Sequence, residues 1–120
     1  MADRRPVIAA FQPRELGKKN WGRELLVAQT DTYIGKVLWM RAGESGPLQY
    51  HERKDETFFL FSGDALVYWR NVEGTPQVTA MTPGMSYHVP PGAIHQVEAV
   101  SDCVFFETSN PVFDDRVAVK

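Results

Sequence analysis

Apolar and polar residues alternate along most of this chain in short runs, and glycine and proline cut the runs apart at fairly even intervals. The runs fall at residues 25–29, 33–41, 48–51, 57–61, 65–70, 77–81, 86–89, 94–100 and 104–108. They are rich in Val, Ile, Phe, Tyr, Trp and Thr, the types that suit a pleated, half-buried strand. Gly43, Gly46-Pro47, Gly63-Asp64, Gly74-Thr75-Pro76, Pro83-Gly84 and Pro90-Pro91-Gly92 stand between them as turn signals. No stretch holds the 3.6-residue period of an amphipathic helix. Many short strands with regular turns predict an all-β sandwich or barrel. Closing or doubling the sheet removes sticky edges, so the pattern predicts a jelly-roll β-barrel.

The length, 120 residues, is enough for one core without staples. The expectation is one domain over 1–120, with a polar N-terminal arm at 1–20, a barrel at 21–113 and a charged tail at 114–120. Thirteen Lys and Arg against fifteen Asp and Glu leave a net charge of −2, with no long run of one sign. A nucleic-acid partner would need a basic stripe, which is missing. No apolar run approaches the roughly 18–20 residues of a membrane helix, so no membrane partner is expected. The apolar patch at 7–11 is too short for a secretory signal, which predicts a cytoplasmic protein. The single cysteine, Cys103, excludes a disulfide within the chain and reads as a small buried hydrophobe.

Histidine brings in chemistry. There are three, His51, His88 and His95. Gln49 and His51 lie two apart on a predicted strand, so they share a face. The polar residues 52–55 read as a turn, after which Glu56 opens the next strand and faces the same pair. His95 follows the rigid turn at Pro90-Pro91-Gly92. Two imidazoles, a carboxylate and an amide oxygen make a mixed site for one divalent metal ion: Zn, Mn, Fe, Co or Ni, with zinc placed first.

The spacing carries a resemblance. Gly43, Gln49, His51, Glu56 and Gly63 are separated by five, one, four and six residues, and Gly84, Pro90, Gly92 and His95 by five, one and two. These segments resemble the two cupin motifs, G-x5-H-x-H-x3,4-E-x6-G and G-x5-P-x-G-x2-H-x3-N. Gln49 stands for the first His, and Ala99 for the final Asn. The resemblance implies the cupin fold, a double-stranded β-helix. Within cupins, the chain is similar to the cupin domain of type II mannose-6-phosphate isomerases, which place metal ligands on a Gln-x-His pair, a Glu and a later His. Asn20-Trp21-Gly22-Arg23-Glu24, Tyr33-Ile34-Gly35-Lys36, Pro47-Leu48-Gln49-Tyr50-His51, the segment from Glu56 to Gly63 and Val89-Pro90-Pro91-Gly92-Ala93-Ile94-His95 carry the likeness. It covers roughly residues 20–115. One departure stands out: Ala118 falls where that family has an Arg thought to assist proton transfer. Arg116 is close by, and is read as facing the wrong side to replace it.

Strand parity orients other residues. Phe58 and Leu60 share the inward face of Glu56, while Phe59 and Phe61 point outward. A large outward apolar pair asks for a cover, so a homodimer is expected, with the N-terminal arm as the other way to supply it. Val97 and Ala99 face in with His95; Gln96 and Glu98 face out. Lys36 enters the barrel if Leu38 and Met40 face the core, and points outward on the opposite register. His88 either lines the pocket or sits at its rim. Lys36 and His88 are the candidate catalytic residues. The resemblance implies a small-molecule ligand, a sugar or sugar phosphate, and aldose–ketose isomerisation. There a metal polarises two neighbouring oxygens and a base shuttles a proton between adjacent carbons. One alternative is a non-haem metal-dependent dioxygenase, since two His and a carboxylate leave positions open for oxygen; Gln49 in place of a third His weakens it. The other is a non-catalytic small-molecule-binding or regulatory cupin.

Overall fold

The computed structural model describes residues 4–120; the first three residues of the expected arm lie outside the described residues. Among the described residues the chain forms strands and no helix. In order they are β1 (Arg14–Lys19), β2 (Gly22–Gln29), β3 (Ile34–Met40), β4 (Gln49–His51), β5 (Glu56–Ser62), β6 (Ala65–Arg70), β7 (Pro76–Met81), β8 (Ser86–Val89), β9 (His95–Ala99), β10 (Cys103–Ser109) and β11 (Arg116–Ala118). They make two antiparallel sheets, one ordered β1-β2-β3-β10-β5-β8 and the other β11-β4-β9-β6-β7. This is the all-β jelly roll that the alternating pattern predicts. No helix is long and apolar enough to cross a membrane, among the described residues.

The register shows which side chains meet between the sheets. Leu38, Phe105 and Leu60 stand opposite one another on β3, β10 and β5, and so do Lys36, Glu107 and Phe58. Phe58 and Leu60 therefore face inward, as parity predicts, and Lys36 takes the inward register with Leu38 and Met40. Leu38, Met40, Leu60, Ala65, Met81, Ala99, Cys103 and Phe105 form the buried cluster at one end of the space between the sheets. Cys103 is a buried free thiol. Gly63, in the β5–β6 turn, has φ +99°, and a Cβ there would lie 2.3 Å from the backbone oxygen of Asp102. Only glycine satisfies both the left-handed backbone and that close approach.

Two short strands fall outside the predicted set. β1 occupies the stretch expected as arm, and β11 the stretch expected as tail. Both lie at sheet edges, where one backbone edge is paired and the side chains stay largely in water, so neither needs an apolar alternation. On the outer face of the larger sheet Phe59 stacks on Phe106 with ring centres 5.9 Å apart, and Phe61 packs against Phe106 at 5.4 Å. Phe61 remains 59% exposed.

Candidate metal centre

β4 and β9 are paired so that Gln49 lies directly opposite His95. His51, two residues along β4, projects to the same side. Glu56 opens β5 in the facing sheet and reaches across from the other side. All four line one cavity of about 320 Å³. One ligand atom each from His51, Glu56 and His95 lies within 4.8 Å of the other two, and all three residues are buried. His51 Nε2 is 3.0 Å and His95 Nε2 4.0 Å from Glu56 Oε2. Nδ1 of His95 donates to the Ala93 carbonyl at 2.9 Å, which leaves its Nε2 as a lone pair turned to the cavity. Glu56 Oε2 and Gln49 Oε1 are buried without a hydrogen-bond partner. Such an orphaned atom costs about 1–3 kcal/mol unless something satisfies it. Two lone oxygens beside two imidazoles suit a divalent cation of the borderline kind.

The electrostatics extend well beyond these four. Lys36 Nζ lies 2.6 Å from Glu24 and 4.0 Å from Glu107. Lys54 Nζ lies 3.7 Å from the other Glu107 oxygen. Glu24, Lys36, Lys54 and Glu107 are all buried. Burial alone would raise the Glu56 carboxyl, but a hydrogen bond with Glu107, the His51 ring and the Lys54 charge outweigh it and hold it down at about 2. Burial pushes the Glu107 carboxyl up to about 8, helped by its hydrogen bond with Glu56. The two carboxyls thus share one proton, and Glu107 keeps it. Burial lowers the His95 ring, which keeps that imidazole neutral. Asp115 sits below the usual carboxylate range: its burial is outweighed by the N–H groups of Arg53 and Lys54 and by His51.

A stability test follows from Glu107. Its folded value is raised above 4.5, so between pH 4.5 and 8 the folded state holds a proton that the unfolded chain has released. Stability from this group is therefore lost as pH rises through that window. Glu107→Gln cannot ionise. With a chelator present, its melting temperature relative to wild type is expected to climb from pH 5 to pH 8. A constant difference across that range would show that Glu107 is ionised throughout.

The structure sorts the other candidates. Lys36 lines the cavity. His88 does not: it stands opposite Thr57 on the outer face, its side chain is 60% exposed, and it pairs with Asp55 at 2.6 Å. It borders a separate shallow depression with Thr57, Thr108 and Ser109. The parity that points Phe58 inward points Thr57 and its partner His88 outward. Arg116 lines the cavity, contrary to the facing expected for it, because it pairs with His51 and the two-residue offset from Ala118 preserves the face. Its guanidinium is held by Asp114. The sequence reading missed Glu24, Lys54, Glu107 and Asp115. Parity with Cys103 and Phe105 is enough to turn Glu107 inward.

The chain belongs to the cupin family: residues 37–108 match the model of the cupin domain. Among solved structures, the capsular polysaccharide assembling protein CapF from Staphylococcus aureus superposes with a TM-score of 0.78 at 20% identity, over 92% of this chain and 32% of that one. This chain thus spans about a third of CapF. KdgF from Halomonas sp. gives 0.70 at 21% identity, over 85% of this chain and 89% of that one. Oxalate decarboxylase from Bacillus subtilis, studied for its Mn(II) centres, gives 0.71 at 18% identity, over 85% of this chain and 29% of that one. Likeness at these identities shows a shared fold. No curated protein matches the chain in sequence.

Proposed function

We propose that the cavity holds one divalent metal ion on Gln49, His51, Glu56 and His95, and that it binds and isomerises a sugar or sugar phosphate in the manner of mannose-6-phosphate isomerases. The observation that carries this reading is the pair of orphaned oxygens, Gln49 Oε1 and Glu56 Oε2, on residues that line the same cavity as two buried imidazoles. The Mn(II) centres of oxalate decarboxylase support the metal, and the role of CapF in capsular polysaccharide assembly supports a sugar context. Bound there, a metal ion would supply Lewis-acid polarisation of two neighbouring sugar oxygens. Lys36 is the protein group we assign to the proton: it would first yield its own ammonium proton to the Glu24 carboxylate 2.6 Å away, and as the free amine take the proton from one carbon and return it to its neighbour, so no co-reactant is consumed. Trp21, Phe58 and Phe113 give the cavity apolar walls that cover the ring and keep water away from it. A reducing, cytoplasmic setting fits the buried thiol of Cys103.

The test combines elemental analysis of the purified protein with an assay for interconversion of mannose 6-phosphate and fructose 6-phosphate. One metal per chain and turnover abolished by chelation are the expected results. Metal without turnover, but with a melting temperature raised by sugars, would make the protein a binder. Iron with oxygen uptake would favour a dioxygenase, the reading that the set of two His and one carboxylate keeps open. Absence of metal would end both the isomerase and the dioxygenase readings.

The same proposal includes a homodimer closed over Phe59, Phe61 and Phe106. An exposed, mutually stacked aromatic patch on a sheet face is a common interface. Phe61→Glu is expected to turn a dimer into a monomer in size-exclusion chromatography with light scattering, while leaving the melting profile cooperative. A monomeric wild type would refute the dimer.

A further inference from the structure

A neutral imidazole has one N–H, and which nitrogen carries it is set by the partner of the other. For His51 the two sides compete. Nε2 faces Glu56 Oε2 at 3.0 Å, an oxygen with no hydrogen-bond partner. Left to that neighbour, Nε2 would carry the proton and donate it to Glu56. Two of the atoms available to a cation would then be spent on each other.

The opposing group comes from the far end of the chain. Asp115 Oδ1 lies 3.2 Å from His51 Nδ1, and its Oδ2 accepts from the backbone N–H of Arg53 at 2.6 Å and of Lys54 at 3.2 Å. A carboxylate only accepts, and of the two contacts only the one with Asp115 has hydrogen-bond geometry, since Glu56 Oε2 has no hydrogen-bond partner despite lying 3.0 Å from Nε2, so Nδ1 carries the proton. The carboxylate is itself fixed, because its side chain is 10% exposed and β11, which follows at once, pairs with β4. Asn110 clamps the same loop from the other side. Its Oδ1 accepts from the Asp55 N–H at 3.0 Å, and its Nδ2 donates to the Arg53 carbonyl at 3.0 Å. Both residues lie beyond the segment matched by the cupin model.

We propose that Asp115 is a positioning residue: it holds the His51 proton on Nδ1, so that Nε2 is presented to the cavity as a free lone pair. The proposal rests on the metal reading for its purpose, but not for its test. Groups of this kind, which act on a metal through the histidine they hold, commonly change affinity about 10–100-fold when altered.

Asp115→Asn is the sharp variant. Its amide oxygen can keep both backbone N–H groups, which turns the NH₂ toward His51 Nδ1. That makes Nδ1 an acceptor and moves the proton to Nε2. The variant keeps the shape and the loop contacts and inverts one tautomer. In metal-free protein at pH 8, ¹⁵N spectra of the imidazoles are expected to show His51 with N–H at Nδ1 in wild type and at Nε2 in Asp115→Asn. His95, held by the Ala93 carbonyl, should stay unchanged in both. Asp115→Ala, which leaves the choice to Glu56, should give the same inversion. Zinc affinity by chelator competition should fall at least 10-fold in Asp115→Asn. Nδ1–H at His51 in all three proteins would overturn the assignment, and so would zinc affinity unchanged despite an inverted tautomer. Failure of wild type to bind zinc would defeat the metal reading, while the spectra would still decide what Asp115 does.

Discussion

His51→Ala is expected to leave the purified protein without bound metal, whereas His88→Ala retains it at the wild-type stoichiometry. The two residues are both histidines on short strands, and their surroundings differ in every respect that matters. His51 is buried, 3.0 Å from Glu56 and inside the cavity with Gln49 and His95. His88 is exposed and touches only Asp55 among the groups of interest, in an ion pair of the kind worth about 0–1 kcal/mol. Altering a group that merely orients a metal-bound histidine costs about 10–100-fold in affinity. Removing the imidazole itself must exceed that, which takes the ion below retention through purification. Elemental analysis of both variants beside wild type is the measurement. Metal retained in His51→Ala would remove His51 from the ligand set, and metal lost from His88→Ala would show that the outer face controls the cavity.

How far the site could be read from the sequence depends on which physical rule places each residue. Gln49, His51 and His95 sit on strands, where a period of two assigns a face, and the glycine and proline spacing assigns the strands. Glu56 was legible because a polar turn precedes it. Phe58, Leu60, Val97 and Ala99 follow the same parity. Lys36 stayed open on sequence, because its strand has apolar residues on both faces; pairing with Glu107 and Leu26 settles it inward. Lys54 sits in a polar stretch that reads as solvated, yet its ammonium turns into the cavity toward Glu107. No periodicity applies within a loop, so no pattern could find it. Asp115 meets His51 across 64 residues of chain, through a three-residue strand too short to show alternation. β1 escaped notice for a related reason, since only Leu16 interrupts its polar residues.

Lys36→Met should cost about 3–5 kcal/mol of stability, the usual consequence of removing one partner of a buried ion pair. Its ammonium is 2.6 Å from Glu24, and among the described residues no other cation pairs with that carboxylate. Methionine matches the length of the stem but leaves that carboxylate unpaired in a poorly solvated place. For a domain of this size the loss corresponds to a fall in melting temperature on the order of 10–20 °C. Lys36→Met combined with Glu24→Gln removes both charges together and should recover most of it, since an unpaired buried charge, rather than the missing attraction, dominates the penalty. The cycle of single and double variants therefore separates two roles that a single substitution confounds. If Lys36 serves only as the counter-ion of Glu24, the double variant will turn over substrate as wild type does. If Lys36 carries the proton of an isomerisation, as proposed, the double variant will be folded, will hold its metal and will be inactive. The second outcome is expected, because the ammonium lines the same cavity as Gln49, His51, Glu56 and His95, whereas a purely structural pair would be better placed away from it.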